Sequence, residues 1–113
     1  MRYFTFQPQF HDAIRARTKV GTIRAKAKVV RGEPFALRYW TGAPYRSPMG
    51  ILGTVVCECV LPIIIDNGTL PDITAQKDGF ADFDAMLAWF QKAHGLPFHG
   101  VLTRWHPDSL VLA

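Results

Sequence analysis

The feature that most constrains the fold is how the strand-like runs are joined. Phe35 to Trp40 sets Phe35, Leu37 and Tyr39 against Ala36, Arg38 and Trp40, the alternation of a half-buried strand. Ile51 to Leu61 is the longest such run, with Val55, Cys57, Cys59 and Leu61 on one side and Val56, Glu58 and Val60 on the other. Between them lies only Thr41 to Gly50, a loop holding two Gly and two Pro. A Gly/Pro loop in place of a crossover helix favours antiparallel neighbours.

Further strands are expected at Tyr3 to Phe6, Gly21 to Arg24 and Val101 to Trp105, and the apolar run Cys59 to Ile65 reads as buried strand. Two helices are expected. Gln9 to Arg17 is short, with Phe10, Ala13 and Ile14 inward, and Asp82 to His94 carries the apolar stripe Phe83, Met86, Leu87 and Phe90. Asp82 and Asp84 suit its positive end, and Gly95 with Pro97 stops it. Gly32-Glu33-Pro34 and Asp66-Asn67-Gly68 are turns, and Thr69 to Phe80 reads as a loop. The pattern fits a small, mainly antiparallel α+β domain with a barrel-like sheet flanked by two helices. It contains neither GxGxxG nor GxxxxGK[ST], so a nucleotide-binding glycine loop is not expected.

The 113 residues suit one domain, with 106–113 as a C-terminal tail. A hydrophobic fraction of 49% with 8 Phe, 3 Trp and 3 Tyr supplies a core and argues against a disordered chain. No stretch approaches the roughly 18 apolar residues of a membrane span. Gln7-Pro8-Gln9 interrupts the apolar start too early for a signal peptide. With two cysteines only, a cytoplasmic setting is expected. Cys57 and Cys59 lack a second cysteine pair, and His11, His94, His99 and His106 show no ligand spacing. Core cysteines, no metal and no cofactor are the expectation, with a monomer or weak homodimer as the assembly.

Charge is distributed unevenly. Seven of the 13 basic residues, Arg15, Arg17, Lys19, Arg24, Lys26, Lys28 and Arg31, lie between Asp12 and Glu33, where no acid occurs. One edge of the fold should therefore attract anions. A solvated basic face that only confers solubility is the alternative.

Three places could carry chemistry. Lys19, Thr22 and Arg24 bring an amine, a hydroxyl and a guanidinium together, Thr22 and Arg24 sharing one face of an extended segment. Threonine becomes a nucleophile only when a base takes its proton, and lysine serves as that base only when burial or nearby cations lower its pKa. Surface charges beside an ordinary strand threonine would have the same spacing. Asp78-Gly79 is first a turn, with Gly79 free to take positive φ, and second a carboxylate on a rigid corner. Trp40 and Tyr45, beside Arg38 and Arg46, suit an exposed wall that stacks bases, whereas Trp89 and Trp105 are assigned to the core.

These features occur in one order: a short helix with Phe10 and Ile14, then Lys19-x-x-Thr22-Ile23-Arg24, Gly32-Glu33 before a strand, Asp78-Gly79-Phe80, a helix with Trp89-Phe90, and a closing strand. In this the chain, from about Phe4 to Trp105, resembles the ASCH domain family. The resemblance implies a PUA-like β-barrel with helices beside it and a cleft for RNA or a nucleoside. It is nearest in pattern to a bacterial branch that removes the acetyl group from N4-acetylcytidine with a lysine, a threonine three residues later and a distant glutamate. Carried over, Thr22 is the nucleophile, Lys19 the activating group, and Asp78 stands for the glutamate, one methylene shorter. Arg17 falls near a glycine of the family's helix-to-strand turn, and Gly21 replaces a β-branched residue. The first expectation is a binding module for RNA or a modified nucleoside or nucleotide, with Arg17, Arg24, Lys26, Trp40 and Arg46 as contacts. The alternative is an amidohydrolase using Lys19, Thr22 and Asp78.

Overall fold

A computed structural model describes residues 1–68 and 70–113. Its elements are β1 (Tyr3–Thr5), α1 (His11–Arg15), β2 (Gly21–Arg24), β3 (Pro34–Trp40), β4 (Met49–Ile65), α2 (Asp72–Lys77), α3 (Phe83–Ala93), β5 (Phe98–Trp105) and β6 (Val111–Leu112). Single 3-10 turns occupy Pro8–Phe10 and Pro107–Ser109. The strands form one sheet in the order β1-β3-β4-β5-β2, with β6 added against β4. All pairings are antiparallel except β1 with β3.

The spine is β4. Met49 to Val56 pairs with β3, and Cys57 to Ile65 pairs with β5, so one strand passes from one half of the sheet to the other. A bulge marks the transfer: Cys57 faces Trp105 and Cys59 faces Arg104, leaving Glu58 as an extra residue. The expected alternation through Leu61 breaks there, and Leu61 is 51% exposed although Cys57 is buried. Beyond the bulge β4 has no partner on its other edge among the described residues, which is where Pro62 and its missing N–H are tolerated. The run to Ile65 is therefore strand, as expected, but Leu61 and Ile64 are half exposed rather than buried.

The core divides into two clusters. Phe4, Phe6, Phe10, Ile14, Phe35, Leu37, Val55 and Trp105 pack beneath α1, while Ile23, Ile65, Ala75, Phe83, Met86, Phe90 and Leu102 pack beneath α2 and α3. Phe80 and Trp89 are partly buried against both clusters and form the seam. On α3, Phe83, Met86 and Phe90 recur at helical spacing, the Asp82 carboxylate accepts from Ala85 N–H (2.8 Å), and Gly95 at φ +78° ends the element.

Two expectations are corrected. The sheet does not close into a barrel: β1 and β2 are its two free edges, and no backbone ladder joins them among the described residues. Cationic side chains lace the gap instead, Arg24 donating to Thr5 O, Lys28 to Tyr3 O, and Arg2 to Lys28 O. A third helix, α2, also lies inside the segment read as a loop, whose first residue, Thr69, is outside the described residues. It escaped pattern reading because it buries one small side chain, Ala75, and leaves Ile73 exposed. The C-terminal tail docks on its own domain: Leu110 is buried, Val56 N–H donates to Ser109 Oγ (2.9 Å), and β6 pairs with Gly53 and Thr54.

Candidate functional site

The site begins at the connection from α1 to β2. Arg17 takes φ +63°, the left-handed conformation that glycine adopts without strain, and the chain turns there so that Thr18 and Lys19 N–H both donate to Ala13 O. The Val20 N–H then donates to Lys77 O at the end of α2 (2.7 Å), and Trp105 N–H donates to Val20 O (3.0 Å). This hook brings Asp78 over Lys19, 59 residues away in sequence. Gly79, at φ +94°, completes the corner, and a Cβ there would lie 2.9 Å from Lys19 Cδ and 3.0 Å from Phe10 Cδ1. The glycine is thus required twice, by its backbone conformation and by close approach.

Lys19 is 2% exposed and Asp78 4% exposed, which removes the solvated-surface reading for this lysine. The Lys19 ammonium donates to Gly21 O (2.7 Å), to Asp78 O, and to Asp78 Oδ1 (3.4 Å), so all three of its hydrogens are engaged. It also lies 4.7 Å from the centre of the Phe10 ring and 5.5 Å from that of Phe6. Burial lowers the Lys19 pKa despite the attraction of Asp78. Burial likewise raises Asp78, to about 6, against the pull of Lys19, Arg24 and Arg104.

Thr22, 4% exposed, does not hydrogen-bond to Lys19; its Oγ1 accepts from Arg24 Nε (2.8 Å). The Arg24 guanidinium sits 5.3 Å and 5.1 Å from the ring centres of Phe4 and Phe6, and burial lowers its pKa also. Lys19, Thr22, Arg24 and Asp78 all line a cavity of about 440 Å³ that lies between the free edges β1 and β2. Its walls are largely aromatic: Phe6, Phe10, Trp40, Tyr45, Phe80 and Trp89. Trp40 and Tyr45 are 5.1 Å apart, and Tyr45 is 89% exposed on the loop between β3 and β4.

The sequence-derived contacts divide. Arg24 and Trp40 line the cavity, whereas Arg17, Lys26 and Arg46 are exposed and do not. The Arg17 guanidinium donates to Leu110 O (3.1 Å), fixing the C-terminal segment. Trp105 is core, at 1% exposure, and Trp89 packs against both core clusters while its half-buried side chain also lines the cavity. Phe80 and His94, at the two ends of the α3 region, also line the cavity and were not among the site residues expected from sequence. An aromatic just off an amphipathic stripe was the available signal for Trp89. No three His, Cys, Asp or Glu side chains gather as a metal site among the described residues, and no helix there is long and apolar enough to cross a membrane.

Comparison with solved structures matches the fold to the ASCH protein of Zymomonas mobilis. Over 96% of this chain and 68% of that one, a serine-to-alanine variant superposes with a TM-score of 0.58 at 10% identity. A second structure, of ASCH from the same organism, gives 0.55 at 12% identity over the same shares. The chain has the ASCH fold. This bears out the ASCH resemblance read from the order of the sequence features, although no protein-family model and no curated protein matches the chain. Within the ASCH fold, the open gap between β1 and β2 is where this chain concentrates its buried charge.

Proposed function

We propose that the cleft binds one nucleoside-sized ligand, a free modified nucleoside or a single unpaired nucleotide. The observation that carries this is the floor and walls together: a buried amine, carboxylate and hydroxyl with a half-buried guanidinium at the base of an aromatic cavity of about 440 Å³. That volume lies within the range of pre-formed small-molecule sites, roughly 300–1,000 Å³, and is too small for a duplex. Aromatic faces suit a planar base, and the charged floor suits its polar edge. Lys19 and Asp78 offset one another, so Arg24 leaves the floor with net positive charge, favouring electron-rich groups.

Titration with cytidine, N4-acetylcytidine and a short single-stranded RNA at two salt concentrations tests the reading. Nucleoside binding that is flat in salt is the expected result. If only RNA bound, with affinity falling steeply in salt, the contacts would be to phosphates outside the cleft.

A second reading, hydrolysis of an N4-acyl cytidine or a similar amide, is favoured by the Arg24 Nε to Thr22 Oγ1 bond. A guanidinium donating to a hydroxyl oxygen lowers that hydroxyl's affinity for its proton. In this chemistry Thr22 Oγ1 attacks the acyl carbon, the C–N bond breaks, the amine leaves with a proton, and water cleaves the resulting ester. With every Lys19 hydrogen engaged, that lysine must first release a proton before it can act on Thr22. A time course with N4-acetylcytidine decides: loss of acetyl by the wild type, abolished in Thr22→Ala with the fold intact, supports hydrolysis. Unchanged turnover in Thr22→Ala would exclude Thr22 as nucleophile.

A further inference from the structure

The cavity is lined by residues from both faces of β2. Thr22 and Arg24 point to one face, while Ile23 points to the other and packs with Leu102, Ile65 and Phe90 in the second cluster. One cavity can meet both faces of a strand only by lying off its edge, and the edge of a strand presents main chain. The hydrogen-bond phase identifies which groups are presented. Trp105 N–H donates to Val20 O, so the Val20 C=O faces β5, and two and four residues on Thr22 and Arg24 turn their N–H and C=O toward β5. Gly21 and Ile23 must then turn theirs away. Lys19 confirms the phase by taking Gly21 O on that outer side.

At Ile23 no side chain among the described residues plays the part of that lysine. Ile23 pairs with Leu102 at a position where the two strands exchange no hydrogen bonds, and among the described residues β2 has no second strand neighbour. Ile23 is 6% exposed, so its N–H and C=O form a donor and an acceptor in a largely buried place. A buried main-chain group without a partner is unfavourable by about 1–3 kcal/mol, which a ligand that supplies the partner recovers. Across the gap Thr5 O is taken by Arg24, so the opposite edge does not fill the position.

We infer that the main-chain N–H and C=O of Ile23 read the polar edge of the ligand, one accepting and one donating atom side by side on a heterocycle. This rests on the nucleoside reading and makes it specific. The 3,4 edge of a pyrimidine has this form in cytosine, with an acceptor at N3 and a donor at N4, and in uracil, with a donor at N3 and an acceptor at O4. A strand residue offers both groups, so it accommodates either order. The flanking Thr22 and Arg24 side chains then lie beside the ring on one face, with Phe80 and Trp89 lining the same cavity.

Amide hydrogen exchange on the full chain, read residue by residue by NMR with cytidine, uridine and 3-methyluridine as probes, tests this. In the free protein the Ile23 amide should exchange faster than those of Thr22 and Arg24, which face β5. Saturating cytidine or uridine should slow the Ile23 amide about tenfold or more and leave those two unchanged, whereas 3-methyluridine, whose donor is replaced by methyl, should bind at least tenfold more weakly. Binding of cytidine and uridine without protection at Ile23, or with no penalty for 3-methyluridine, would overturn the inference while leaving the nucleoside reading in place. No binding of any of the three would overturn both.

Discussion

Replacing Lys19 by Met preserves length and much of the volume while removing the ammonium, and its effect follows from the surroundings. Three acceptors lose their donor at once: Gly21 O, Asp78 O and the Asp78 carboxylate, at a site where both side chains are nearly solvent-free. Breaking a buried pair from one side costs about 3–5 kcal/mol. Asp78 limits the loss, because a carboxyl already raised to about 6 by burial will take up a proton once its partner is gone. The two carbonyls have no such escape, and at about 1–3 kcal/mol each they keep the total near 3–5 kcal/mol. At about 4 °C per kcal/mol for a domain of this size, the melting temperature should fall by roughly 12–20 °C. Asp78→Asn is milder, about 1–2 kcal/mol, because the amide oxygen can still accept from Lys19 and both carbonyls keep their donor. Chemical denaturation of the wild type and both variants at pH 7 measures the asymmetry. A Lys19→Met variant within 1 kcal/mol of the wild type would refute the reasoning, since it would mean that the two carbonyls do not depend on the ammonium.

Two further outcomes follow from the same corner. Gly79→Ala places a Cβ at φ +94° and within 3.0 Å of both Lys19 and Phe10, so it should lose about 1–3 kcal/mol in denaturant titration and weaken cytidine binding by disturbing Lys19. Folded Asp78 holds its proton more tightly than the unfolded side chain does, so between roughly pH 4 and 6 the native state carries the extra proton and this group's contribution to stability falls as pH rises. Urea unfolding should therefore show the stability advantage of wild type over Asp78→Asn shrinking from pH 4 to pH 7, and a constant difference would contradict a raised Asp78.

The sequence disclosed what depends on local chemistry. Gly21 to Arg24 is strand over the expected residues, Gly79 has positive φ as an Asp-Gly turn suggests, and the Asp82 cap and Gly95 stop bound α3 within a residue of expectation. What it could not disclose is set by distance along the chain. That Asp78 meets Lys19 depends on Val20 bonding to Lys77, a contact no periodicity encodes. Barrel closure failed as an expectation for a related reason. β1 takes its place beside β3 through parallel pairing of Tyr3 with Ala36, and the strand pattern alone does not say that β2 will lie at the far end of the sheet. The basic run misled in part because seven cations in a row of sequence do not share one environment: Lys19 is buried in the floor, Arg24 half-buried beside it, and Arg15, Lys26 and Arg31 face solvent.

The unclosed sheet also governs how something can arrive. A closed cylinder admits a guest only through its ends, so a long polymer would have to offer a terminus or a loop small enough to thread. A slot bridged by three flexible cationic side chains can be approached broadside. A moiety attached to larger groups on both sides can be pressed into it and withdrawn with no strand unzipped, since side-chain bonds such as Arg24 to Thr5 and Lys28 to Tyr3 are what cross its width. Whether the guest is free or is one link of a chain then makes no difference to the path it takes.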